Sequence, residues 1–198
     1  MNLCVFQGTF NPFHNAHMRL AQYALDKYNF DKLLFIPAYK PPHKDYDDKM
    51  AYHRLNMVKL AVSEANNPKF DVSDIEYKRD EKSYTYITVQ KLYEMFNIDT
   101  KINFIIGTDA FDKIESWYEI DKLKDLVKFF VFKREDNCNF EKFEYLKEKG
   151  YDFICEELPF KDISSTNLRK IIKNNENFEN FVCRSVKEYI ENNGIYKN

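Results

Sequence analysis

Short apolar runs alternate along this chain with longer stretches whose apolar residues recur at helical spacing. Residues 3–6, 33–36, 70–72, 102–106, 127–132 and 153–155 are β-rich and largely apolar throughout, the pattern of strands covered on both faces. Between them, Leu55, Val58, Val62 and Ala65 share one helical face, as do Val89, Leu92, Tyr93 and Phe96, and later Val182, Val186, Tyr189 and Ile190. This alternation predicts an α/β fold, a mainly parallel sheet with helices on both faces. No repeat, low-complexity linker or break in composition divides the chain, so residues 1–198 are expected to form a single domain.

In an open α/β sheet, ligands bind beyond the carboxyl ends of the strands, and the glycines narrow the search. Only four occur, where average usage of about 7% gives roughly 14. Gly150 and Gly194 follow helical patterns and read as left-handed caps. Gly8 and Gly107 instead end strand-like runs, where a missing side chain lets a ligand approach the backbone. These two mark the expected site.

Composition removes several classes of partner. Thirty Lys and Arg against 32 Asp and Glu give a formal charge of −2, so no global positive field gathers nucleic acid or an anionic membrane. Unbroken apolar runs such as residues 129–132 fall far short of the ~20 that span a bilayer. His14, Asn15, His17 and Arg19 stand where a signal peptide needs an apolar segment. The four cysteines form no CxxC, so reduced thiols and a cytoplasmic location are expected. Residues 78–82 are highly charged and read as a solvated loop.

The segment after the first strand, Gln7-Gly-Thr-Phe-Asn-Pro-Phe-His-Asn-Ala-His17, leads into a helix whose apolar face includes Met18, Ala21, Ala24 and Leu25. His14 and His17 can share one helical face beside free backbone N–H groups and the positive end of the dipole, a natural anion site. Two other readings of the pair stay open: a zinc site, for which only His43 and His53 remain as further histidines, or a turn cap. Near the far end, Ser164, Ser165, Thr166 and Arg169 enter another helix. They read either as a cap with a solvated arginine or as hydroxyls, N–H groups and a guanidinium offered to a polyphosphate.

Together these segments resemble the nucleotidylyltransferase superfamily, which carries an HxGH motif after the first strand and, in many members, an ISSTxxR-like motif near the end. More specifically, the chain resembles the bacterial nicotinate-nucleotide adenylyltransferases. The intervening motifs also appear in order: Ile36-Pro-Ala-Tyr-Lys-Pro-Pro-His-Lys44, Ser83-Tyr-Thr85, Ile106-Gly-Thr-Asp109 and Trp117-Tyr118. The resemblance therefore spans nearly the whole length. The chain departs from the usual GGTFDPxHxGH by Gln7 for the first Gly, Asn11 for Asp, Phe13 for Pro and Ala16 for Gly.

The resemblance implies a Rossmann-like, doubly wound fold. It also implies adenylyl transfer from ATP to nicotinate mononucleotide in NAD biosynthesis, releasing pyrophosphate without a covalent enzyme intermediate. His14 and His17 would be the catalytic phosphate donors, with Gly8 and the backbone N–H groups of Thr9 and Phe10 beside them. Ser164, Ser165 and Arg169 would hold the β and γ phosphates, and Gly107 and Asp109 the ATP ribose, although Asp109 also reads as a helix cap. Trp117 would stack on the pyridine ring or pack in the core. Thr85 and Tyr118 would offer N–H groups to the nicotinate carboxylate, and Lys44, beside His43, would close over the mononucleotide phosphate or remain in a solvated loop. Mg²⁺ would arrive with the triphosphate and need no dedicated protein ligand. A homodimer is implied as well. The rivals are another adenylyl- or cytidylyltransferase, acting on phosphopantetheine or an alcohol phosphate, and a nucleotide-binding regulator without turnover. The class I aminoacyl-tRNA synthetases share the histidine signature, but no KMSKS-like segment is present.

Overall fold

The computed structural model describes residues 1–42, 47–133, 139–159 and 163–197. Strands β1 (Leu3–Gly8), β2 (Lys32–Pro37), β3 (Phe70–Val72), β4 (Ile102–Gly107), β5 (Val127–Lys133) and β6 (Phe153–Glu157) occupy the six apolar runs. They form one sheet in the order β3-β2-β1-β4-β5-β6. All five pairings are parallel, so the expected mainly parallel sheet is wholly parallel among the described residues.

The strands are apolar throughout because successive side chains enter opposite cores. Cys4, Phe6, Leu33, Phe35, Ile105, Phe130 and Phe132 enter one core, while Leu3, Val5, Leu34, Ile36, Phe104, Phe129 and Val131 enter the other. Helices α1 (Asn15–Tyr28), α2 (Asp48–Ala65), α7 (Ser165–Lys173) and α8 (Arg184–Asn193) cover the first face. Helices α3 (Thr85–Met95), α4 (Thr108–Phe111), α5 (Ile120–Leu126) and α6 (Tyr145–Glu148) cover the second. The buried stripe of α2 is Ala51, Arg54, Leu55, Met57, Val58 and Ala61. Val62 is only half-buried and Ala65 is exposed, a correction to the expected face that follows from Arg54 being drawn inside. Gly150 and Gly194 take positive φ values of 85° and 63° past their helices, as expected of left-handed caps.

One consequence of the strand order positions the site. The chain reverses direction across the sheet at β1, which has β2 on one side and β4 on the other. The last β1–β4 pair is Phe6 with Ile105, and two residues beyond it both strands end, in Gly8 and Gly107. Ligands of doubly wound sheets bind at such a switch point.

Candidate active site

The loop from Gly8 to His14 is built around a left-handed residue. Phe10 has φ of 49°, which a bulky side chain adopts only when its surroundings hold it there. Its ring lies 5.3 Å from Phe6, 5.4 Å from Phe13 and 5.0 Å from the His17 imidazole. A Cβ on Gly8 would stand 2.9 Å from that ring. The glycine therefore makes room for Phe10.

Arginines hold the loop from below. Arg54, 4% exposed, donates to the carbonyls of Thr9 at 2.8 Å, Ala38 at 2.6 Å and Tyr39 at 3.1 Å. Burial lowers its pKa, and nearby Tyr77, Tyr196 and Glu76 oppose that shift. Arg169 donates from Nη1 to the Asn11 carbonyl at 2.7 Å and from Nη2 to Thr166 Oγ1 at 3.3 Å. Part of its fork is thus committed to the loop.

His14 is the N-cap of α1, and its ring stacks on His17 with centroids 3.6 Å apart. Both residues are buried, at 1% and 6% exposure. The His14 N–H donates to His17 Nδ1 at 3.2 Å. A neutral imidazole carries one proton, so an accepting Nδ1 places the N–H on Nε2. Across the loop, the Ser165 hydroxyl donates to the Pro12 carbonyl at 3.2 Å. Ser164 Oγ instead accepts from Asn167 N as the cap of α7. Ser164 Oγ thus acts as an acceptor and the Ser165 hydroxyl as a donor.

The second half of the site surrounds the start of α3. Thr85 is its first residue, and no backbone carbonyl among the described residues takes the N–H of Thr85 or of Tyr118. The Tyr84 and Tyr118 rings stack 4.5 Å apart, which brings these two segments together. Trp117 is half-buried and meets Phe104 edge-on at 6.1 Å, so part of its indole belongs to the core. Asp109 is exposed in the first turn of α4, whose N-cap is Gly107. Asp109 is therefore not the cap. Lys44 and His43 lie outside the described residues.

Beneath this half lies the buried carboxylate of Glu76. It accepts from Gln7 Nε2 at 2.6 Å, Thr88 Oγ1 at 2.7 Å and the Tyr39 N–H at 3.1 Å. Arg79 Nη2 reaches it at 3.5 Å and Thr88 at 2.6 Å. Burial raises the Glu76 pKa, against the opposing effects of Ser83, Thr88, Arg79 and the Tyr39 N–H. Arg79 has an 11% exposed side chain, so the segment expected to be a solvated loop sends its arginine inward to this carboxylate. Ser83 and Lys40 exchange two hydrogen bonds of 2.9 Å, N–H to carbonyl and N–H to Oγ, which ties the loop after β2 to the start of α3.

A cytidylyltransferase-like family model matches residues 5–171, most of the chain and every element of this site up to α7. The chain belongs to the cytidylyltransferase-like family. Within it the chain stands with the nicotinate-nucleotide adenylyltransferases. It is 34% identical to the "Nicotinate-nucleotide adenylyltransferase" of Bacillus subtilis, covering 98% of this chain and 97% of that one. It is 36% identical to the "Probable nicotinate-nucleotide adenylyltransferase" of Caldicellulosiruptor bescii over the full length of both. In fold it is similar to the Plasmodium falciparum nicotinic acid mononucleotide adenylyltransferase complexed with NaAD, with a TM-score of 0.80, 20% identity, and 98% and 97% of the two chains covered.

The departures from the family's first motif have local partners. Gln7 meets Glu76, Asn11 Oδ1 accepts from the Tyr196 hydroxyl, and Phe13 packs with Phe10, His17 and Phe35. Ala16 is 6% exposed. Arg54, Glu76 and Tyr196 were not among the residues singled out from the sequence. Only Arg54 carried a signal, being a charge on the apolar stripe of an amphipathic helix.

Proposed function

We infer that this protein transfers the adenylyl group of ATP to nicotinate mononucleotide, forming nicotinate adenine dinucleotide and pyrophosphate in NAD biosynthesis. The observation that carries the reading is the buried, stacked His14–His17 pair at the N-terminus of α1, where β1 and β4 part. The names of its full-length relatives support the acceptor.

A phosphate monoester is already a nucleophile, so the protein's task is to align two anions and neutralise charge developing on the α-phosphoryl oxygens. His17 donates from Nε2–H to the α-phosphate, with His14 stacked beside it. The loop N–H groups of Thr9 and Phe10 and the positive end of α1 add to that field. The Ser164 hydroxyl and the uncommitted N–H groups of Arg169 hold the β and γ phosphates, and Asp109 takes the ribose beyond Gly107. Thr85 and Tyr118 present N–H groups to the nicotinate carboxylate, with Trp117 alongside the pyridine.

Among the described residues no group of three or more His, Cys, Asp or Glu side chains could hold a metal ion. The proposed phosphate-facing set of imidazoles, hydroxyls and a guanidinium suits Mg²⁺ that would arrive with the triphosphate and would supply neutralisation of its charge. No described helix is long and apolar enough to cross a membrane, and no disulfide joins Cys4, Cys155 and Cys183. A cytoplasmic location belongs to the reading as well. A homodimer is part of the reading and is checked by light scattering.

Incubating the protein with ATP, Mg²⁺ and a panel of nicotinate mononucleotide, phosphopantetheine and simple alcohol phosphates, then measuring pyrophosphate, tests the reading. Release with the mononucleotide alone is expected. Release with another acceptor, or with none, overturns it.

A further inference from the structure

We propose that Tyr196 is a positioning residue for the phosphate-binding loop, acting through the side chain of Asn11. The inference rests on the adenylyl-transfer reading for the identity of that loop.

Helix α8 ends at Gly194, and Tyr196 follows with a positive φ of 69°. Between them Ile195 is buried and its N–H donates to the Ile190 carbonyl at 3.2 Å. The chain thereby folds back until the Tyr196 hydroxyl donates to Asn11 Oδ1 at 2.5 Å, across 185 residues. Burial keeps this phenol protonated, and so a donor, against the opposing charges of Arg169 and Arg54.

Asn11 lies next to the left-handed Phe10. Around it the carbonyls of Thr9, Asn11 and Pro12 are held by Arg54, Arg169 and Ser165. In a trans peptide the carbonyl and the following N–H point in opposite directions. Anchoring the Thr9 and Pro12 carbonyls inward therefore turns the N–H groups of Phe10 and Phe13 the other way. The three anchors grip the backbone, and Tyr196 grips the Asn11 side chain. The C-terminal turn thus braces the loop at the residue between its strained and its proline positions. Asn15, at the start of α1, is held separately by the segment before α8, through its N–H to the Phe181 carbonyl at 2.7 Å and its amide to the Asn180 carbonyl at 3.1 Å.

The test compares wild type, Tyr196→Phe, Asn11→Ala and the double variant by calorimetric binding of ATP with Mg²⁺ in the absence of acceptor. KM for each substrate and Tm are measured in parallel. Losing one hydrogen bond that orders the loop should weaken ATP binding about 10-fold in either single variant, and no further in the double, with the mononucleotide KM held within about 2-fold. ATP binding by Tyr196→Phe within about 2-fold of wild type overturns the proposal, as do additive losses in the double variant. So do equal losses for both substrates that merely track Tm. Wild type that binds ATP but does not adenylylate the mononucleotide refutes the acceptor assignment and leaves the Tyr196 comparison intact. Wild type that does not bind ATP overturns both.

Discussion

The backbone N–H of His14 donates to Nδ1 of His17 while the two rings stack 3.6 Å apart, so one histidine sets the tautomer of the other. Phe6, Phe10 and Phe13 wall the His17 ring at 5.9, 5.0 and 5.2 Å, a low-dielectric setting in which an N–H···O⁻ contact gains strength. His17→Ala should lower kcat about 100-fold or more with little change in KM, because the contact strengthens as charge builds on the α-phosphate. His17→Asn can still accept from the His14 N–H but has no Nε2–H. It should therefore lose as much kcat while keeping more of the wild-type Tm, and steady-state kinetics with thermal melts check both.

Gly8→Ala should damage the site by a route that involves no ligand. Its new Cβ would meet the Phe10 ring at 2.9 Å, and that ring is confined by three other aromatic rings and His17. Overpacking of this kind costs about 1–3 kcal/mol. Displacement of Phe10 against His17 should reduce kcat/KM about 10-fold or more. A melt and an ATP titration on the same preparation measure the two effects.

Arg54→Leu should be among the most destabilising single changes in the protein. It strands the carbonyls of Thr9, Ala38 and Tyr39, which the guanidinium now serves, at about 1–3 kcal/mol for each buried acceptor left unpaired. Arg54→Lys should fall between, since a compact ammonium lacks the fork that reaches all three oxygens. Urea unfolding of the three proteins ranks them.

Glu76 imposes a pH dependence opposite in sign to that of the chain's paired surface carboxylates, such as Glu64 and Asp74, whose pKa values are lowered. Its pKa is raised by burial from 4.5, so the folded state holds this proton to higher pH than the unfolded state does. Its contribution to stability is greatest below pH 4.5 and declines as pH rises through the folded pKa. Glu76→Gln removes that titration. Its Tm should fall less, or rise more, than that of wild type as pH increases from about 4.5 upward, and differential scanning calorimetry across that range reads the difference.

Nicotinate mononucleotide should be preferred over nicotinamide mononucleotide. In the proposed site a carboxylate would accept from the N–H groups of Thr85 and Tyr118, whereas an amide rotated the wrong way would present a donor to donors. One unsatisfied donor costs about 1–3 kcal/mol, and loss of charge at the start of α3 adds about 0.3–1 kcal/mol. Discrimination of about 10- to 1000-fold in kcat/KM should follow. Trp117→Ala should weaken both acceptors without reversing their order. Comparing kcat/KM for the two mononucleotides at fixed ATP decides it.

All six strands, the histidine pair at the head of α1 and the serine cap of α7 were legible in the sequence, because each is a local pattern: an apolar run, a spacing of three, a hydroxyl before a helix. Periodicity reports which face of an element is apolar, and Gly8 and Gly107 end β1 and β4 as the apolar runs before them predict. What it does not report is which strands become neighbours. Only the tertiary order β3-β2-β1-β4-β5-β6 makes β1 and β4 neighbours, so that both glycines lie at the same end of adjacent strands. The polar residues beneath the site stayed hidden for the same reason. Arg54 meets Thr9 across 45 residues, Gln7 meets Glu76 across 69, and Tyr196 meets Asn11 across 185. A buried charge or amide is stabilised by whichever donors and acceptors the finished fold brings to it, and no local pattern records partners that distant.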